Sequence, residues 1–101
     1  MGKADLHIHT AYSNDGTASV AAVLEHVVQH TDLDVIAITD HDEIEGALQA
    51  LTLAPRYGIE VIPGSEVSTA EGHLLALYIT ERVPPGLSLI ETVAYVAALG
   101  G

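Results

Sequence analysis

The stretch DVIAITDHD, residues Asp34 to Asp42, places an apolar run directly before a cluster of acidic and imidazole side chains. Residues Asp34 to Thr39 are almost continuously apolar and β-branched, which is typical of a strand buried on both faces of a parallel sheet. The cluster Asp40, His41 and Asp42 follows that strand. In parallel α/β folds, the carboxyl ends of the strands carry ligand sites and reaction centres. The stretch therefore predicts a parallel α/β fold and a candidate site at one edge of its sheet.

The sequence on either side of this stretch alternates strand and helix patterns. Further strands are predicted at Ala4–His9, where polar and apolar residues alternate, at Ile59–Ile62 before a Pro63-Gly64 turn, and at His73–Ile79. Helices are predicted from the N-cap Ser19 to His30 and from about Glu43 to Leu53. A third helix is predicted from the N-cap Ser88, which matches a capping box with Glu91, and Gly100 lies just past its end. We expect an α/β fold of about four strands and three helices, mainly parallel, in one domain of residues 1–101.

Composition limits the classes of protein that the chain can represent. Its 101 residues include fourteen Asp and Glu against three Lys and Arg, a formal net charge of −11. That charge repels a phosphate backbone, so bulk nucleic-acid binding is not expected unless bound divalent cations reverse the local field. The chain has no cysteine, which excludes disulfides and thiolate metal sites. No leader and no apolar run of membrane-spanning length is present, so we expect a soluble, cytoplasmic protein.

Histidine and carboxylate side chains recur at the ends of the predicted strands. His7 and His9 lie on one face of the first strand, Glu66 follows the third, and His73 begins the fourth. Each has an ordinary interpretation when taken alone: a core histidine, a solvated loop glutamate, or, for Asp42, a helix cap. Together, imidazole and oxygen ligands without sulfur at one sheet edge predict a site for zinc, manganese or iron.

A second pair of histidines is interpreted differently. His26 and His30 are spaced to share one side of a helix, but they lie off its apolar stripe, and no glutamate follows the first as in metalloprotease helices. We interpret them as surface residues.

Four segments resemble the first motifs of the polymerase-and-histidinol-phosphatase (PHP) superfamily of metal-dependent phosphoesterases. They are DLHIHTAYSNDG, ITDHD, GSEVS and GHLLALYI, and they occur in order over nearly the whole chain. The resemblance implies the front part of a distorted seven-stranded (β/α)7, TIM-like barrel. It also implies two or three divalent metal ions at the carboxyl face and hydrolysis of phosphate esters.

The resemblance assigns roles to residues of the first motif. His7 and His9 match paired ligands of one metal, and Asp15 matches the acidic residue that closes the motif. Asp15 comes six residues after His9, where many members have five, and Asn14 occupies the shorter-spaced position. The resemblance assigns the role to Asp15, with Asn14 as the alternative.

The later motifs supply the remaining matches. His41 matches a metal ligand, Glu66 matches the carboxylate that bridges metals, and His73 matches the next histidine ligand. Catalytic roles are implied for Asp15, His41 and Glu66. Asp40, adjacent to His41, is a better candidate for orienting a ligand than for binding metal directly.

The chain departs from the family pattern after His73. Members carry further histidine and aspartate ligands on later strands, and no histidine follows His73 here. We therefore expect this chain to correspond to the N-terminal part of the domain only, to bind metal, and to show little turnover by itself.

These observations leave three functions to compare. The first is hydrolysis of phosphomonoesters on small molecules or nucleotides by a metal-activated water. The second is exonuclease action on nucleic-acid ends, and the third is a metal-binding module without catalysis. Apolar faces left uncovered would also favour self-association.

Overall fold

The computed structural model describes residues 3–10 and 19–101. Within these residues the strands are β1 (Ala4–Ile8), β2 (Val35–Ile38), β3 (Glu60–Thr69) and β4 (Gly72–Leu77). The helices are α1 (Val20–His30), α2 (Glu45–Tyr57) and α3 (Leu89–Ala98). No helix among these residues has the length and apolar character needed to cross a membrane.

The strands form one sheet in the order β1-β2-β3-β4. β1 pairs with β2 and β2 with β3 in parallel, whereas β3 and β4 form an antiparallel hairpin. The central strand β2 carries Ile36 and Ile38, both fully buried, as its continuous apolar sequence predicts. The mainly parallel α/β architecture expected from the sequence is therefore confirmed.

The core lies between the sheet and the first two helices. α1 contributes Val20, Leu24 and Val27, which are spaced to lie on one face of the helix. The buried face of α2 is made of small residues, including Gly46 and Ala50. Because these side chains are small, α2 packs closely on the sheet, mainly against β3, and Gly46 lies against Asp40 and Thr10, which follow β2 and β1.

The bounds of α2 differ from those predicted. The helix begins at Glu45 rather than Glu43 and continues through Pro55 to Tyr57, where Gly58 ends it in a left-handed conformation with φ 66°. A proline in a helix removes one hydrogen-bond donor, and its ring crowds the carbonyl of residue i−4, and α2 continues for only two residues past Pro55. Asp42 does not cap the helix, since its N-cap is Ile44.

The predicted end of the third strand is also wrong. β3 does not turn at Pro63-Gly64 but continues to Thr69. It changes partner there, because residues 60–63 pair with β2 and residues 64–69 pair with β4. A Cβ at position 64 would overlap the carbonyl oxygen of Ala76, so the glycine allows two strands to approach closely instead of marking a turn. Glu66 consequently lies inside β3 rather than after it.

The caps predicted for α1 and α3 are confirmed. The Ser19 hydroxyl accepts a hydrogen bond from the Ala22 N–H at 3.2 Å. Ser88 and Glu91 form the reciprocal capping box. These side chains satisfy N–H groups that a helix start otherwise leaves unpaired.

Candidate metal centre

The segment after β2 continues alongside β3 and brings His41 next to Glu66. The Glu66 N–H donates to the Asp40 carbonyl at 3.0 Å, and the Asp42 N–H donates to the Glu66 carbonyl at 3.1 Å. His41 and Glu66 are therefore bridge partners in a parallel ladder. Paired residues of a ladder project to the same face of a sheet, so the His41 imidazole and the Glu66 carboxylate share one face.

The short parallel pairing of residues 40–42 with β3 ends at Asp42, whose side chain makes the last hydrogen bond. Its backbone is left-handed, with φ 53°, a conformation that Asp tolerates better than most residues. Its Oδ1 accepts the Ser68 N–H at 2.7 Å, in the place where a carbonyl would continue the ladder. Its carbonyl accepts a hydrogen bond from Arg82 Nε at 2.8 Å. The bonds of Asp42 to Glu66 and Ser68 on β3 fix the segment that carries His41.

The hairpin places His73 on the same face. His73 pairs with Ser68, and Glu66 pairs with Leu75. Glu66 and Ser68 are two residues apart and so project to one side of β3. His73, diagonal to Glu66, projects to that side too.

β1 supplies His7 and His9 from the edge of the sheet. Its pairing with β2 is irregular between Asp5 and Ile8, where the sequence predicts simple alternation. The Asp5 carboxylate accepts the His7 N–H at 3.0 Å, and the Ile8 carbonyl accepts the Thr39 N–H at 2.8 Å. Both histidines still face Glu66.

The four imidazoles meet at the two oxygens of the Glu66 carboxylate. Oε1 contacts Nε2 of His7 and lies 3.7 Å from Nε2 of His9. Oε2 lies 2.7 Å from Nδ1 of His41 and 3.5 Å from Nδ1 of His73. The glutamate side chain is only 7% exposed. One buried carboxylate thus joins two separate histidine pairs.

This donor set fits divalent metals. Two groups, His7-His9-Glu66 and His41-Glu66-His73, each offer three ligand atoms within 4.8 Å of one another. Imidazole nitrogen and carboxylate oxygen are ligands of zinc, manganese and iron. Three protein ligands also leave a coordination position open, as in catalytic zinc sites. The two groups share Glu66 through different oxygens, which is the arrangement that a carboxylate bridging two metals requires.

Asp40 lies beneath the centre. It is 1% exposed, and it accepts the Thr10 N–H at Oδ1 (2.5 Å) and the Thr10 hydroxyl at Oδ2 (2.6 Å). Thr10 directly follows His9, so Asp40 ties the end of β1 to the end of β2. Its predicted orienting role remains a prediction, with His9 as an additional residue through which it would act.

The other predicted residues have different positions. Asp15 lies outside the described residues. His26 and His30 are exposed on α1 with ring centroids 4.9 Å apart, away from the Glu66 face. Sequence reasoning missed Thr10 and Arg82. The scarcity of cationic residues could have drawn attention to Arg82, whereas no local pattern marks Thr10 as a partner of Asp40.

Comparisons with known proteins identify relatives over nearly the whole chain. The PHP domain model matches residues 5–93. An uncharacterized protein of Methanocaldococcus jannaschii, MJ1587, is 38% identical over 98% of this chain and 63% of its own length. The phosphoribosyl 1,2-cyclic phosphate 1,2-diphosphodiesterase of Eggerthella lenta is 35% identical over 79% of this chain and 32% of its own. The 5'-3' exoribonuclease of Haemophilus influenzae is 35% identical over 89% of this chain and 34% of its own.

A solved structure shares the fold. A two-domain protein of Bacteroides vulgatus, described as containing a predicted PHP-like metal-dependent phosphoesterase, superposes with a TM-score of 0.81. It is 22% identical, and the match covers 97% of this chain and 32% of that protein. This chain thus spans 63% of MJ1587 but about a third of the length of the Eggerthella lenta, Haemophilus influenzae and Bacteroides vulgatus proteins. The family model, the relatives and the histidine-carboxylate centre agree, and the chain belongs to the PHP domain family.

Proposed function

We propose that the protein is a metal-dependent phosphoesterase that hydrolyses small phosphorylated molecules or nucleotides. The observation that carries this proposal is the buried Glu66 carboxylate, each of whose oxygens faces two imidazoles. The relatives include a cyclic phosphate diphosphodiesterase and an exoribonuclease, which supports phosphate ester chemistry. They leave the substrate open.

The residues divide the work of the centre between them. His7 and His9 would hold one metal and His41 and His73 the other, with Glu66 shared and Asp15 a further predicted ligand. Metals bound there supply Lewis acidity to a phosphoryl oxygen and an activated water. Glu66 holds the two ligand groups at a fixed separation, and its burial excludes water that would compete for its oxygens.

Charge explains why such a centre suits an acidic protein. With a net charge of −11, the surface repels phosphate at long range. Two divalent cations would reverse the field locally, so an anionic substrate would be attracted to the centre of an otherwise mainly acidic protein.

The test is manganese-dependent phosphate release by a chain extended through the later strands of the domain, with metal content measured on the same samples. Glu66→Gln keeps the side-chain shape but removes the charge, so we expect bound metal to fall and any phosphate release to drop by about 100-fold or more. Glu60→Gln is the matched control, because Glu60 is an exposed residue at the other end of β3. Metal binding without turnover on any ester would instead support the non-catalytic module.

Exonuclease action is the second candidate, favoured by the name of the Haemophilus influenzae relative. A substrate panel separates the two. We expect small monoesters and cyclic phosphates to be cleaved in preference to 5'-phosphorylated oligonucleotides, because the acidic surface repels a long phosphate backbone. Preference for the oligonucleotide would reverse the assignment.

A further inference from the structure

Of the three cationic side chains of the chain, two lie at the end of the sheet away from the metal centre and the third lies near the centre. Lys3 precedes β1 and contacts Asp32 at 2.5 Å. Arg56 lies in the last turn of α2. A helix that follows a parallel strand begins at the strand's carboxyl end and runs back toward the opposite edge, so Arg56 is remote from the metal centre. Arg82 is the one that contacts the segment carrying His41.

Arg82 is held by one nitrogen only. Its Nε donates to the Asp42 carbonyl at 2.8 Å and lies 3.6 Å from Oε1 of Glu43. Within residues 3–10 and 19–101, no group accepts a hydrogen bond from its two terminal nitrogens. The side chain is 53% exposed. The two terminal nitrogens form a planar fork of four N–H donors at the exposed end of the side chain, and the hydrogen bond from Nε to Asp42 fixes the fork in place.

The anchor places this fork beside the metal centre. Asp42 directly follows His41, and successive residues are about 3.8 Å apart. The guanidinium and the His41-Glu66 pair are therefore close enough for one molecule the size of a nucleotide to contact both. Arginine forks bind phosphate and carboxylate groups in a bidentate manner. The nearby Glu43 is 39% exposed, and an ion pair so open to solvent is weak, so an incoming anion can displace it.

We propose that Arg82 is a specificity-determining residue that binds a second anionic group of the substrate. The substrate class is then a phosphate ester that also carries another phosphate or a carboxylate. This inference rests on the proposed function: the scissile phosphate occupies the metal centre, and the second anion occupies the Arg82 fork.

A purely structural role for Arg82 makes a different prediction. If Arg82 serves only to hold the left-handed Asp42 in place, its removal disturbs His41. Metal affinity would then fall, and all phosphorylated ligands would be affected equally. Loss of an anion-binding fork instead affects only ligands with the second anion.

The experiment measures binding to the manganese-loaded chain by titration calorimetry. The probes are ω-carboxyalkylphosphonates of increasing length, each paired with the alkylphosphonate of the same length. For at least one pair, we expect the wild type to bind the carboxylated member about 5- to 10-fold more tightly. Arg82→Gln should remove that preference while leaving metal content and alkylphosphonate affinity unchanged. Arg56→Gln, which removes the same charge at the other edge, should keep it.

The outcomes separate the two proposals. A preference that persists in Arg82→Gln, or an equal loss for both members of every pair, overturns the role of Arg82. Binding needs no turnover, so an Arg82-dependent preference in this chain, together with no cleavage of any ester by the extended chain, refutes the proposed function alone.

Discussion

Gly46 offers a direct test of how the strand ends are held beneath the metal centre. It is the second residue of α2 and is buried against Asp40 and Thr10. A Cβ at this position would lie 2.6 Å from the Thr10 hydroxyl oxygen and would overlap Oδ2 of Asp40. Neither side chain has room to move aside, because Thr10 is fully buried and Asp40 is 1% exposed. Gly46→Ala must therefore break the contact between them.

The expected cost follows from the two hydrogen bonds that Thr10 donates to Asp40. A hydrogen bond to a charged group contributes about 1.5–3 kcal/mol. Losing one and straining the other costs about 2–4 kcal/mol, and alanine restores about 1 kcal/mol of helix propensity. We expect the free energy of unfolding to fall by about 1–3 kcal/mol, measured by urea denaturation followed by circular dichroism. Manganese affinity should also fall, because His9 precedes Thr10.

Two further variants make this result specific. In an Asp40→Ala background the added methyl group meets no carboxylate, so Gly46→Ala should cost far less there, as a double-mutant cycle would show. Gly58→Ala strains the left-handed end of the same helix, although a Cβ added there would meet no other residue within 4 Å. It should lower the free energy of unfolding by about 1–2 kcal/mol without changing manganese affinity. An equal cost of Gly46→Ala in both backgrounds would refute the explanation.

Three other predictions can be tested on the same chain. His9→Ala and His73→Ala each remove a ligand from a different group, so each should lower bound manganese by about one ion per chain in equilibrium dialysis. Loss of both ions from either variant would indicate a single coupled site. Ser88→Ala removes the N-cap of α3 and should lower the free energy of unfolding by about 1 kcal/mol, whereas Thr80→Ala at an exposed loop position should change it by less than about 0.5 kcal/mol. The self-association expected from the sequence should give a mass above 10.6 kDa in light scattering that Ile90→Lys lowers, since Ile90 is 83% exposed on α3; a monomeric wild type would contradict it.

Local signals predicted those features that depend on neighbouring residues. The apolar run before Asp40 identified β2, because a strand buried on both faces needs no polar alternation. Ser19 and Ser88 identified helix starts, because a cap acts within one helical turn. The motif pattern also indicated the residues that now surround Glu66.

Features decided by distant partners were not predictable in this way. Pro63-Gly64 has the sequence of a turn, but β2 and β4 pair with β3 on either side of it, and Gly64 is required by the Ala76 carbonyl. Pro55 indicates a helix end, but α2 continues past it by two residues. Asp42 is at a sequence position typical of a helix cap, but its carboxylate accepts a hydrogen bond from the Ser68 N–H instead. For Pro63-Gly64 and for Asp42, a tertiary contact outweighs the local preference.

The two halves of the centre differ in how their ligands come together. Glu66 and His73 are brought together by a single hairpin, a local contact that forms early and cheaply because little chain entropy is lost in closing the loop. His7 and His9 are separated from Glu66 by more than half of the chain and lie on or directly after β1, which among the described residues is an edge strand paired with β2. Edge elements with few buried contacts open first in native-state fluctuations. We therefore expect metal binding to the His7-His9 group to be coupled to the docking of β1 on β2. We expect the His41-His73 group, in contrast, to keep its arrangement when β1 is detached.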